Sequence, residues 1–325
     1  MDLKLTKIMA ALSENNITKE NATQLLVSLI ENSANTEIRK KSIHYLKKIN
    51  INQDFLFQFL ENLLVTDTNN QIRVLAAQTI RERFLDRALK PMKWAISYER
   101  DYDCLMEIIE TLLSINTAEA KEIIWQKIQQ KRERMYIDNR QNYLNKQFRK
   151  STEWIVKEKN ILIDVLGEIL VNYLTIQRLI EKFYTVFFEW EKGVIQKLDL
   201  SEIGWNVNVW KQKYAERIST LSEISEIQRL THLKRLDLSK NRLSSIKKLT
   251  NLRKITHLWL SNNKLKDLKN IEYLKMFPNL QFLDIAGNRI ADNIQQNDMK
   301  GIYLVKHHGF GKKLNQFNIL YELYS

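Results

Sequence analysis

Two prolines and seven glycines are the only strong backbone punctuation in 325 residues. Sheets joined by tight turns, and Gly-rich loops that wrap phosphates, need more than that, so a helix-rich chain is favoured. Cys104 is the single cysteine, which excludes a disulfide within the chain and fits a reducing, cytoplasmic setting. Long apolar runs are missing too. The greasiest stretch, residues 161–176, is broken by Asp164 and Glu168, so no membrane span is expected. Residues 1–12 carry Asp2, Lys4 and Lys7, and no leader with an apolar core is expected there. No Walker loop, Rossmann fingerprint, paired-cysteine zinc motif or nucleophile elbow occurs, so neither a cofactor nor a catalytic group is expected. The run from Lys306 through His307, His308 and Gly309 to Lys313 is the one oddity. Its histidines have no cysteine or carboxylate at ligand spacing, and its basic Gly-flexed stretch lacks the Ser/Thr of a phosphate loop. It reads as a surface loop.

With 44% hydrophobic and 27% charged residues, the chain is a globular protein able to bury a core. Its net charge of +13 is unevenly placed: residues 229–313 hold 18 Lys+Arg against 6 Asp+Glu, and residues 127–160 hold 10 against 4. Such blocks attract nucleic acid, anionic lipid or acidic proteins, or serve only as a solubilising surface. In the smaller block Lys127, Lys131, Arg132, Arg134, Arg140, Lys146, Arg149 and Lys150 are interleaved with acids, and much of it reads as a solvated helix face.

An internal period of 34 residues organises the first third. Ile38, Arg39, Ser42 and Leu46 match Ile72, Arg73, Ala76 and Ile80, and Gln24, Leu26, Leu29 and Ile30 match Gln58, Leu60, Leu63 and Leu64. A weaker third copy pairs residues 92–99 with 102–115, placing Cys104 and Leu112 where Ile72 and Ile80 stand. Each unit is a helix, a polar turn and a second helix, and must stack on its neighbours to bury its apolar face. Arg39 and Arg73, being repeat-equivalent, are expected to anchor a carboxylate or carbonyl of an adjacent helix. The pattern over about 18–115 resembles HEAT-like repeats, which implies an α-solenoid with a groove for protein partners. No residues of the lyase-associated relatives can be carried over. Residues 154–190, rich in Ile, Leu, Phe and Trp, read as one or two further helices.

Leu233-x-x-Leu236-x-Leu238-x-x-Asn241-x-Leu243 recurs from Ile255 to Leu265 and again from Leu280 to Ile290. Alternating leucines put one face of a short strand into a core, and the asparagines Asn241, Asn263 and Asn288 can replace backbone bonds lost at a bend. This is similar to the leucine-rich repeat, and its 22-residue step to the phosphatase-regulator and splicing-factor subclass, which implies protein binding on a concave sheet. Ile195-x-x-Leu198-x-Leu200 has the strand pattern but Ile203 where Asn belongs, so 195–232 reads as degenerate coils, interrupted near Trp205 and Trp210. The tail after 291 is expected to cap the far end.

The expected architecture is therefore mainly α with α/β: helix pairs over 1–190, and a leucine-rich solenoid with a parallel sheet over 191–325. The leading function is a non-catalytic scaffold or adaptor. Its binding face would carry Arg235, Asp237, His257, Trp259, Phe282 and Asp284, with Trp259 as the aromatic anchor. Alternatively Trp259 is covered by the tail or by the helical half. A rival reading is nucleic-acid or other polyanion binding along Arg242, Lys264 and Arg289, joined by Lys247 and Lys248. An enzyme of unrecognised type is the third.

Overall fold

The computed structural model describes residues 3–49, 53–134, 139–158, 160–183, 186–201 and 217–307. Trp205, Trp210 and the stretch from His308 onward lie outside the described residues. The architecture is a run of helix pairs followed by a leucine-rich solenoid. The chain divides into two compact units, one of residues 1–134 with 157–171 and one of residues 135–156 with 172–325.

The first unit opens with α1 (Leu3–Ser13), α2 (Lys19–Asn32), α3 (Thr36–Lys48), α4 (Gln53–Thr66) and α5 (Asn70–Arg83). It continues with α6 (Leu89–Tyr98), α7 (Tyr102–Ile115) and α8 (Ala118–Glu133). The repeat is visible at the helix starts. Asn35 accepts the backbone N–H groups of Glu37 and Ile38 at 2.9 and 3.3 Å, and Asn69, one period on, accepts those of Gln71 and Ile72 at 2.9 and 3.4 Å. Such caps satisfy N–H groups that the first helical turn leaves without partners. Several repeat-equivalent apolar positions share one fate, since Leu26, Leu60, Leu46, Ile80, Cys104 and Leu112 are all fully buried, whereas Leu29 and Ile38 are half-buried where Leu63 and Ile72 are buried. Ser42 and Ala76 are likewise at 0% exposure, where a larger side chain would hold neighbouring helices apart.

The basic stretch departs from its expected role in part: Arg134, Lys146, Arg149 and Lys150 are exposed, but its first three members are not. Lys127, Lys131 and Arg132 are buried rather than solvated, at 9, 7 and 9% exposure. Lys127 donates from Nζ to the carbonyl of Ile96 at 2.6 Å, near the C-terminal end of α6. Burial, with the positive charge of Arg134, holds its ammonium pKa below the ordinary value. A long alkyl stem can cross apolar packing while its tip finds a carbonyl, which is why charge alone misplaced it.

Beyond α8 come α9 (Asn139–Ser151), α10 (Glu153–Lys157) and α11 (Ile163–Lys182). The helical reading of 154–190 holds to Lys182 and fails at its end, where β1 (Phe187–Glu191) and β2 (Val194–Asp199) form an antiparallel hairpin. Aromatic residues in that stretch suit a half-buried pleated surface as readily as a helix. Lys192 and Gly193 turn the chain with φ of +50° and +84°, the two left-handed residues that a tight hairpin turn requires. Then follow β3 (Arg235–Asp237), β4 (His257–Trp259), β5 (Phe282–Asp284) and β6 (Tyr303–Val305), with α12 (Lys269–Lys275) between β4 and β5. The sheet runs β1-β2-β3-β4-β5-β6, parallel from β2 onward. Leu236, Leu258 and Leu283 lie in register and are fully buried. β2 shows that the 195–200 pattern is a true strand of the stack, and β6 extends the sheet past the last motif-bearing coil.

Candidate leucine-rich-repeat interaction face

Side chains two apart on a strand point the same way, so the residues flanking each core leucine share the opposite face of the sheet. Register sorts them into two rows. Lys197, Arg235, His257, Phe282 and Tyr303 form one, and Asp199, Asp237, Trp259, Asp284 and Val305 the other. Trp259 thus lies between Asp237 and Asp284, as the spacing implies. The expectation that this second row is open is corrected, because Asp237, Trp259 and Asp284 are 4, 5 and 0% exposed. In the first row Arg235, His257 and Phe282 are half-buried, and Tyr303 is 69% exposed.

The rings of that row are stacked. His257 and Phe282 lie 5.8 Å apart at 17°, and Phe282 and Tyr303 lie 5.7 Å apart at 15°. Trp259 packs beside them, 5.8 Å from His257 and 5.1 Å from Phe282. Parallel strands about 4.8 Å apart force successive rings into this spacing, so the ladder follows from the register. Tyr303 was missed at the sequence level because its strand carries no asparagine after it. Burial and the charge of Arg235 hold the His257 pKa below the usual histidine value.

The aspartates have a local task. Asp199, Asp237 and Asp284 accept the backbone N–H of Ser201, Ser239 and Ala286 at 2.8, 2.8 and 3.1 Å, closing the end of each strand. Burial, then the neighbouring carboxylate of Asp199, pushes the Asp237 pKa up to about 7, with Asp284 adding to the effect and Ser239 opposing it. Burial also raises that of Asp199.

The ladder asparagines fit the structural role read from the motif. Asn263 donates to the carbonyls of Leu238 and Leu260 at 2.8 and 2.9 Å and accepts the N–H of Leu243 at 2.9 Å. Asn241 and Asn288 repeat the pattern, donating to Leu200 and Leu260 at 2.9 and 2.8 Å. Asn270, which no motif position flags, does the same at another corner: it accepts the N–H of Ile246 at 3.0 Å and donates to the carbonyl of Ser244 at 3.1 Å.

Arg242, Lys264 and Arg289 follow the three ladder asparagines and are exposed. Lys247 and Lys248 are exposed too, and Lys248 donates to the Ser222 hydroxyl at 2.8 Å. His307 is exposed, and no grouping of metal-ligating side chains occurs among the described residues. In the helical unit Arg73 donates to both Glu99 oxygens at 2.7 and 3.0 Å and to the carbonyl of Asp67 at 2.9 Å. Arg39 pairs with Asp67 and donates to the carbonyl of Ile30. These two arginines are structural anchors, as their repeat equivalence implies.

The family profile described as Leucine Rich repeats (2 copies) matches residues 231–273 and again 253–298. No curated protein matches the sequence. The coils at 231–298 are therefore leucine-rich repeats, a class that generally mediates protein–protein interaction and is typically non-catalytic. Among the described residues no helix is long and apolar enough to cross a membrane.

Proposed function

We propose that this chain is a non-catalytic, cytoplasmic scaffold or adaptor, and that the sheet face of its leucine-rich repeats seats a protein partner. In this reading the helix pairs are HEAT-like repeats and the coils are of the phosphatase-regulator-like subclass. The supporting observation is the row Arg235, His257, Phe282 and Tyr303, a guanidinium followed by stacked rings that stay accessible to solvent. Arginine and aromatic side chains on rigid strands are the usual carriers of binding energy, because little entropy is lost when they are covered. Asp237, Trp259 and Asp284 flank that row on the same face and are buried, so in this reading Trp259 acts through packing and not as the anchor.

Affinity capture with the full chain, run beside Arg235→Glu and Phe282→Ala, tests this. Proteins held by the natural chain and lost from both variants are partners of this face. Identical retention by all three sinks the proposal. Trp259→Ala is expected to lower stability by about 3 kcal/mol, in the range of buried aromatic truncations. An unchanged melting temperature with a weakened partner complex would restore Trp259 as the anchor.

A second reading rests on the exposure of Arg242, Lys264 and Arg289 at one repeat position. A cation on each successive coil suits a polyanion, bound weakly and with a steep dependence on salt.

A further inference from the structure

The unit that contains the leucine-rich coils holds a second feature that the sheet face does not explain. A cleft of about 400 Å³ runs between α9 and β1. Tyr143, Gln147, Lys150 and Ser151 line it from the helix, at positions that share one helical face. Phe188, Glu189 and Trp190 line it from the strand. Three consecutive strand residues cannot all border a cleft through one face of a sheet, since alternate side chains point opposite ways. The cleft borders this strand along its length, with the rings of Phe188 and Trp190 against those of Tyr143 and Phe148. β1 is the terminal strand of the sheet, paired with β2 on one side and with no strand on the other among the described residues. Opposite Glu189 and Trp190 the register shifts by one residue, leaving Gln196 of β2 as a bulge.

Cations outnumber acids around this edge, with Glu189 and Glu191 of β1 against the four basic residues of α9. α9 carries Arg140, Lys146, Arg149 and Lys150 in thirteen residues and no carboxylate. Lys146 and Lys150 are exposed, and neither pairs with an acid among the described residues. Glu189, the carboxylate that lines the cleft, is engaged by Lys197 at 2.5 Å. Tyr143 and Phe188, with ring centroids 5.8 Å apart, and Trp190, 6.2 Å from Phe188, supply apolar surface at the base.

We propose that this groove binds an acidic, extended peptide segment of a partner protein, which adds to the sheet along the outer edge of β1. An edge strand offers main-chain hydrogen bonds to any extended sequence, a neighbouring helix confines it, and side-chain pockets select among candidates. Here the aromatic floor selects an apolar residue at the centre, and Lys146 and Lys150 select acids around it. This site is independent of the sheet face proposed above and involves none of its residues.

A fluorescein-labelled nonapeptide, Asp-Glu-Val-Thr-Phe-Thr-Val-Glu-Asp, titrated into the full-length chain tests the idea by anisotropy. Three controls accompany it: the same peptide with lysine at every acid, the same peptide with proline at both threonines, and a nine-nucleotide oligothymidylate. Saturable binding of the first peptide is expected, about tenfold or more weaker for both altered peptides. The double substitution Lys146→Glu and Lys150→Glu, at exposed positions that leave the circular dichroism spectrum unchanged, should weaken it by a similar factor. Hydrogen exchange should slow in residues 187–191 when the peptide is bound. Four results would each overturn the proposal: no binding, equal binding of the proline-bearing peptide, an unaffected double variant, or displacement of the peptide by the oligonucleotide at comparable concentration.

Discussion

The two repeat arrays fasten neighbouring units by opposite electrostatic means. Between helix pairs the ties are full charges. Arg39 meets Asp67, Arg73 meets Glu99 and Arg81 meets Glu107 and Glu110, all across helices nearly a repeat apart in sequence. Between leucine-rich coils the ties are neutral amides, and the buried acids there have each other for neighbours. Helices pack at about 8–10 Å, a gap that a long guanidinium spans, whereas strands about 4.8 Å apart leave room only for a short side chain that both donates and accepts.

That difference gives the two arrays opposite responses to acid. Burial alone would raise the Glu99 carboxyl, but hydrogen bonds from Arg73 and from the backbone of Asp101 and Arg100 outweigh it and bring its pKa from the ordinary 4.5 to about 2. A depressed carboxylate stabilises the fold fully above its unfolded value, and that stabilisation is lost as pH falls from 4.5 toward 2. Asp237 runs the other way. Its pKa rises from 3.8 to about 7, so the folded chain holds a proton that the unfolded chain releases, and stability falls as pH climbs through that window.

The largest expected effect breaks the charged array. Arg73→Ala leaves Glu99, 7% exposed, without its partner, and should cost about 3 kcal/mol at pH 7 by chemical denaturation. The loss should shrink below pH 4, where Glu99 in the variant is protonated; a loss independent of pH would mean that packing, not charge, holds these helices. In the neutral array Asn263→Ala removes a donor and acceptor from buried backbone groups of two coils and should cost about 2–3 kcal/mol. That cost should not vary between pH 5 and 8. Asp237→Asn has the opposite sign. It keeps the acceptor for Ser239 and removes the charge, so it should stabilise by about 2 kcal/mol or more at pH 8 and by little below pH 4. A melting temperature lowered at both pH values would show that the carboxylate is held by a cation instead. Smallest of all, replacing Arg242, Lys264 and Arg289 together by glutamine should change stability by under about 0.5 kcal/mol. A greater loss would show that the basic row is part of the scaffold.

What could be read from the sequence was whatever repeats. Leu46 and Ile80, or Asn241, Asn263 and Asn288, stand at fixed spacings because the same buried position recurs, and a period survives where any single residue would be ambiguous. The hairpin of β1 and β2 occurs once. Its only signal was Lys192-Gly193 between apolar stretches, and aromatic spacing in 187–190 mimicked a helix. Lys127 was misplaced because its ammonium reaches a carbonyl through its own alkyl stem, a contact that charge counting does not register. The sheet face was legible in its register and not in its exposure. Alternation fixes which way Trp259 points, but only the surrounding packing fixes whether water reaches it.

The ladder asparagines also have a direction. Asn241, Asn263 and Asn288 each reach from their own coil to groups of the coil before it, as do Asn270 to Ser244 and Asn279 to the carbonyl of Arg253 at 2.8 Å. None of these five side chains reaches forward. A coil therefore finds the atoms it must bind already in place when the chain emerges from its amino end, as it does on the ribosome. Shortening the array from the far end removes each asparagine together with its coil and leaves a backbone N–H such as that of Leu243 or Leu265 at the new end, whereas deleting an early coil leaves the next asparagine facing nothing. This solenoid is built to grow in the order in which it is synthesised.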